Sequence, residues 1–97
     1  MIFLISSISV KEIGKITNNI IDIRSIEKYN TSHIPNAKNI PRIELVKNYS
    51  KYLNKNEVYY IYCQYGKTSL QVCAYLTRLG YRVKNLLGGY EGWLLEK

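Results

Sequence analysis

The chain has 97 residues, which is enough for one compact domain and not for two. Its 46% of hydrophobic and 22% of charged residues are typical of a globular protein, and its two cysteines are too few for the disulfide framework of a small secreted domain. The formal charge of +7 favours anionic ligands. The basic residues are dispersed and form no basic tail, so a nucleic-acid partner is not favoured.

Neither a targeting segment nor a membrane span is predicted. The apolar start, MIFLI, lacks the charged region and the small-residue cleavage site of a signal peptide. No stretch approaches the roughly 20 apolar residues that cross a bilayer. We therefore expect a single domain over residues 1–97, located in the reducing cytoplasm and without a membrane partner.

Strand and helix patterns alternate along the whole chain. In chain order the predicted elements are a strand at 1–5, a helix at 9–15, a strand at 20–23, a helix at 25–29, a strand at 37–40, a helix at 43–53, a strand at 57–62, a helix at 69–79, a strand at 83–87 and a final helical turn. Ser9 and Glu12 have the spacing of a capping box, and Ser25 and Ser69 are candidate N-caps. The alternation predicts an α/β fold with a small, mostly parallel central sheet and helices on both faces.

Cys63 lies at the seam between a predicted strand and a predicted helix, in the stretch CQYGKTS. In parallel sheets, ligands bind beyond the carboxyl ends of the strands. The helix start presents unpaired N–H groups and a partial positive charge, Lys67 adds a full charge, and Gly66 lets the amides turn inward. Thr68 and Ser69 supply hydroxyls. These features favour a reactive thiolate, although a lone cysteine is more often a small buried hydrophobe.

Three separated motifs resemble those of rhodanese-like sulfurtransferases. CQYGKTS resembles the family's active-site loop, in which a cysteine is followed by two residues, a glycine, and basic or hydroxyl residues ending in serine. IIDIRSIEKYNTSHIPNAKNIP, residues 20–41, resembles the upstream signature with Asp22 and Arg24 after a strand. LGGYEGW, residues 87–93, resembles its Gly-Gly and Trp ending. The motifs keep the family's order and cover nearly the whole chain, so the resemblance implies the rhodanese-like fold.

The resemblance also implies a sulfurtransferase activity with Cys63 as the catalytic residue. Cys63 would accept a sulfane sulfur, carry it as a persulfide and pass it to a thiol or other nucleophilic acceptor. The implied donor is thiosulfate or a protein persulfide, and the implied acceptor is a thiol, for example on a thioredoxin-like or sulfur-carrier protein. No metal or organic cofactor is implied. The implied anion-binding loop consists of Gln64, Tyr65, Gly66, Lys67, Thr68 and Ser69.

The loop departs from the family pattern at Thr68, where many members carry an arginine. Lys67 is then the only cation of the loop. Arginine binds a small anion bidentately, whereas lysine is a flexible point charge. The substitution predicts that thiosulfate is a poor donor and favours a protein persulfide. Gln64 and Tyr65 either line an acceptor site or are simply exposed.

Residues outside the loop are expected to have structural roles. Asp22 and Arg24 are predicted to form a buried ion pair that braces the loop. Cys73 is predicted to be buried rather than to act as a resolving thiol. His33, the sole histidine, is predicted to be a turn residue rather than a base. Trp93 is predicted to be a core or lid residue that anchors the last helix.

The sequence leaves two other functions open. A phosphatase of the same fold carries an arginine six residues after its cysteine, where this chain has Ser69, and without that guanidinium a phosphate monoester is held poorly. A non-catalytic binding module is the second alternative, although such rhodanese-like domains usually lack the cysteine. The positive charge also suits an acidic partner, such as a sulfur-carrier protein, or an RNA substrate of thiolation.

Overall fold

The computed structural model describes residues 4–96, which form one β-sheet with helices packed against it. In chain order the elements are β1 (Ser6–Ile8), α1 (Val10–Ile13), β2 (Ile20–Asp22), α2 (Ile26–Thr31), β3 (Ala37–Asn39), α3 (Arg42–Lys47), α4 (Tyr49–Tyr52), β4 (Val58–Tyr62), α5 (Lys67–Arg78), β5 (Arg82–Leu86) and α6 (Gly89–Glu96). The predicted alternation of strands and helices is therefore confirmed.

The sheet has five strands in the order β1-β5-β4-β2-β3, and every neighbouring pair is parallel. The most apolar strand, β4, lies in the middle, with Ile61 opposite Ile21 of β2 and Asn85 of β5. Because all strands run the same way, their carboxyl ends share one edge, and ligands of open parallel sheets bind at that edge. The predicted α/β fold with a parallel sheet is confirmed.

Helices cover both faces of the sheet, which explains why the inner strands β2 and β4 carry apolar residues on both sides. One face buries a cluster that includes Leu45, Leu53, Val72, Cys73 and Leu76 of the α3–α5 side. The other face buries Val10, Ile13, Ile34 and Tyr90, with Trp93 of α6 half-buried against them. Trp93 thus packs on the core, in agreement with its predicted anchoring role.

Three details differ from the sequence prediction. Of the strand predicted at 1–5, residues 1–3 lie outside the described part of the chain and residues 4 and 5 are not in a strand. The first described strand is Ser6–Ile8, in which Ile8 is buried in the core. The predicted helix at 43–53 is two helices, because Asn48 leaves helical geometry at φ −129° and ψ 38°. Finally, α5 begins at Lys67, two residues before the predicted start.

Within residues 4–96, no helix has the length and apolar character that a membrane span requires. The longest helix, α5, has 12 residues.

Candidate active site

Cys63 directly follows β4, and its sulfur lies against the start of α5. The side chain is 7% exposed. Its Sγ accepts hydrogen bonds from the backbone N–H groups of Gly66 at 3.1 Å and of Ser69 at 3.2 Å. A helix leaves the N–H groups of its first turn without internal partners, and its dipole adds a partial positive charge there. This arrangement stabilises a negative charge on sulfur.

Gly66 makes this arrangement possible because its backbone is left-handed. Its φ is +99°, a conformation that residues with a side chain rarely adopt. A Cβ atom at this position would also lie 3.2 Å from the backbone nitrogen of Gly88. Gly66 is the N-cap of α5, so the prediction that Ser69 caps the helix is wrong. Ser69 lies in the first turn of α5, where its N–H donates to the sulfur of Cys63.

The Ser69 hydroxyl connects the loop to the neighbouring strand β5. Its Oγ is 3.2 Å from Sγ of Cys63 and donates a hydrogen bond to Oδ1 of Asn85, which is 3% exposed. The Asn85 amide in turn donates to the carbonyl of Gly66. A hydroxyl has one hydrogen, so Ser69 donates to only one of its three neighbours at a time: Asn85, the carbonyl of Gly66, or the sulfur of Cys63. Asn85 was missed by sequence reasoning, because nothing in the sequence distinguishes it from the other polar residues of β5.

The amino end of α6 holds the other side of the loop. Backbone N–H groups of Tyr90 and Glu91 donate to the carbonyls of Cys63 at 2.9 Å and Gln64 at 3.0 Å. The Gln64 side chain also donates to the carboxylate of Glu91. The loop carbonyls are therefore bound from outside while the loop amides face inward to the sulfur. Gly89 allows this contact, since a Cβ atom there would lie 2.7 Å from the carbonyl oxygen of Cys63.

Asp22 and Arg24 form a buried ion pair below the loop, with Nη2 2.8 Å from Oδ2. Arg24 Nη1 donates to the side-chain oxygen of Gln64 at 3.1 Å, and its guanidinium lies 4.1 Å from the centre of the Tyr90 ring. Burial disfavours the charge of Arg24, but the hydrogen bonds and charge of Asp22 outweigh it and raise the arginine's pKa. Burial, and then the charge of Asp22, raise the pKa of Tyr62, whose hydroxyl donates to the same carboxylate at 2.7 Å.

Two cavities meet at Cys63. One, of about 240 Å³, is lined by the loop residues Cys63, Gln64, Tyr65, Lys67 and Thr68. The other, of about 260 Å³, is lined by Ile23, Arg24, Ser25, Lys28, Arg42, Cys63, Gln64 and Thr68. Tyr65 is 70% exposed at the rim. Lys28 and Arg42 were missed by sequence reasoning, because no local motif links them to the loop.

Cys73 and His33, for which the sequence predicted structural roles, line neither of these cavities. Cys73 is fully buried, and burial followed by the proximity of Cys63 raises its pKa to about 12. His33 stacks on Tyr29 with ring centres 3.8 Å apart, and its Nδ1 lies 2.8 Å from the Tyr29 carbonyl oxygen. Among residues 4–96, no three His, Cys, Asp or Glu side chains form a group that could hold a metal ion.

The fold and the site together define a parallel α/β protein with a cysteine-centred loop suited to an anion. The sequence profile of the rhodanese-like domain matches residues 9–96. The chain belongs to the rhodanese-like domain family. This confirms the family identified from the three motifs.

Known proteins of the family resemble the chain over most of its length. The thiosulfate sulfurtransferase GlpE of Coxiella burnetii is 33% identical over 75 residues, which are 76% of this chain and 69% of GlpE. YrkF of Bacillus subtilis, which has a provisional name as a sulfur carrier protein, is 36% identical over 77% of this chain, but the match spans only 40% of YrkF. A crystal structure of a rhodanese-like domain protein from Staphylococcus aureus has 34% identity and a TM-score of 0.82, and the alignment covers 92% of this chain and 91% of that one.

Proposed function

We propose that the protein is a sulfurtransferase that carries a sulfane sulfur as a persulfide on Cys63. The Cys63 thiolate attacks the outer sulfur of the donor, the new S–S bond forms, and the donor's own bond to that sulfur breaks. With thiosulfate the leaving group is sulfite, which takes the electron pair of the broken bond. A thiolate acceptor then attacks the outer sulfur of the persulfide, and Cys63 leaves as a thiolate.

The observation that carries this proposal is the pair of amides directed at the sulfur. Gly66 and Ser69 donate to Sγ at 3.1 and 3.2 Å. In the first step the Cys63 thiolate becomes a persulfide anion, and in the second step the persulfide becomes the Cys63 thiolate again. Negative charge is therefore on Sγ or on the sulfur bound to it. Fixed amide donors stabilise such charge without having to reorganise during the reaction. Gln64, Tyr65, Lys67 and Thr68 form the rim around which donor and acceptor bind.

Asp22 and Arg24 act in this proposal as positioning residues. Arg24 contacts the loop through Gln64, Asp22 holds Arg24, and neither is hydrogen-bonded to the reacting sulfur. The donor is thiosulfate or a protein persulfide, and the acceptor is a thiol on a thioredoxin-like or sulfur-carrier protein. The names of GlpE and YrkF are consistent with sulfur transfer of this kind.

The structure argues against the phosphatase alternative. The position of the phosphatase arginine is occupied by Ser69, which is fully buried and bonded to Asn85. No cation can reach a phosphate from that position. The non-catalytic alternative is opposed by Cys63 itself, since a pure binding module has no need of a sulfur held by oriented amides.

Cyanide-dependent formation of thiocyanate from thiosulfate, or from an organic persulfide, tests the proposal. We expect turnover by the wild type, background rates for Cys63→Ala, and near wild-type rates for Cys73→Ala, whose side chain lines neither cavity. Hydrolysis of an aryl phosphate that Cys63→Ala abolishes would support the phosphatase instead. Absence of thiocyanate with either donor, together with alkylation of Cys63 no faster than that of Cys73, would support the binding module.

A further inference from the structure

Besides Arg24, which is paired with Asp22, two cations from outside the loop line the cavity that opens on Cys63. Lys28 comes from α2 and Arg42 is the first residue of α3. Both line the cavity of about 260 Å³ together with Cys63 and Thr68. Thr68 is the position at which many family members supply an arginine from the loop, whereas in this chain Lys28 and Arg42 line the same cavity from α2 and α3.

Backbone hydrogen bonds fix the position of the Arg42 main chain relative to Cys63. Its N–H donates to the carbonyl of Ile23 at 3.0 Å, and the N–H of Ile23 donates to the carbonyl of Tyr62 at 3.0 Å. Tyr62 is the residue before Cys63. Two successive backbone hydrogen bonds thus connect the start of α3 to the strand that ends in the nucleophile. The position of Arg42 is therefore set by the sheet edge and not by a mobile loop.

The charges of Lys28 and Arg42 are not neutralised within the described part of the chain. The single salt bridge among residues 4–96 joins Asp22 to Arg24. No acidic side chain lines either of the cavities that meet at Cys63. Unpaired cations that face a cavity attract an anion into it.

We propose that Arg42, assisted by Lys28, is an anion-binding site for the oxyanion end of a small sulfur donor. This inference rests on the proposed sulfur transfer. A sulfonate-type group bound at Arg42, as in thiosulfate, directs its outer sulfur towards Cys63. The guanidinium accommodates two oxygens at once, which a lysine cannot do. The charge that sulfite gains as it leaves is then stabilised by the same side chain, so thiosulfate is a competent donor despite Thr68.

Alkylation of Cys63 by two reagents tests the site independently of turnover. Iodoacetate carries a negative charge, and iodoacetamide is a neutral reagent of similar size. We expect the ratio of their rates to fall by about three- to tenfold in Arg42→Gln, the effect of removing one nearby unpaired charge. Lys28→Gln should give a smaller fall. Arg78→Gln, which removes an exposed charge from the far end of α5, is the matched control and should leave the ratio unchanged.

The same variants are then assayed with thiosulfate. We expect the KM for thiosulfate to rise in Arg42→Gln and, by less, in Arg42→Lys, which keeps the charge but not the bidentate geometry. Unchanged rate ratios in Arg42→Gln, or an equal fall in Arg78→Gln, would overturn the anion site. If no variant and no wild-type sample transfers sulfur, the proposed function fails, while the alkylation ratios still decide whether the anion site exists.

Discussion

Cys63 and Cys73 show how strongly the surroundings decide what a thiol can do. Cys63 lies at the edge of two cavities and receives two backbone N–H groups. Cys73 lies on the buried face of α5 with no exposed surface, and its pKa is raised to about 12. A thiol whose pKa is raised keeps its proton at neutral pH, and the protonated thiol is a poor nucleophile. One cysteine is therefore suited to chemistry and the other to packing.

This contrast predicts selective labelling of the folded protein. At pH 8, excess iodoacetamide should add one group to the wild type and none to Cys63→Ser within the time in which Cys63 reacts completely. Cys73 should react only after addition of denaturant, because unfolding removes the burial that keeps it protonated. Intact-mass measurement reads both results. Complete labelling of Cys73 in folded Cys63→Ser at pH 8 would contradict the assignment.

At the scale of elements, the active loop is held between two helix starts. The amino end of α5 directs its amides at the sulfur, and the amino end of α6 directs its amides at the loop carbonyls. Gly89 is the residue that lets α6 approach this closely. Its φ is +61°, and the space that a Cβ would need is taken by backbone atoms that cannot rotate away.

Gly89→Ala should therefore destabilise the protein and displace the loop. We expect the free energy of unfolding to fall by about 2–4 kcal/mol, from overpacking against backbone and from left-handed strain. Gly92→Ala is the matched control on the same helix, since its Cβ would meet nothing closer than 3.5 Å. Urea denaturation measures both variants. Equal effects of the two substitutions would show that the α6 contact is not what positions the loop.

Much of the element pattern was predictable because it depends on local signals. The capping box at Ser9 and Glu12 forms as the spacing indicates, and the apolar runs become strands. The start of α5 was misplaced because a serine is a common N-cap, while here the left-handed Gly66 takes that position. The role of Gly89 was not predictable, since it depends on a contact between segments that are far apart in sequence.

At the scale of the whole molecule, the parallel sheet assembles the site from distant parts of the chain. The ends of β2, β4 and β5 meet at one edge, which brings Arg24, Cys63 and Asn85 together. The family resemblance predicted Cys63, its loop, and the pair of Asp22 and Arg24. It did not predict Arg42 or Asn85, because their proximity to the sulfur follows from strand order and not from any motif of their own.

The central claim is that Cys63 carries a sulfane sulfur, and one mass measurement tests it most directly. Cys73→Ser, which keeps only Cys63, and Cys63→Ser are each incubated with thiosulfate or with a persulfide-loaded desulfurase. Intact mass is then measured before and after addition of cyanide. We predict a gain of one sulfur, about 32 Da, on Cys73→Ser that cyanide removes, and no gain on Cys63→Ser. No gain on folded Cys73→Ser with either donor, or an equal gain on Cys63→Ser, would contradict the claim.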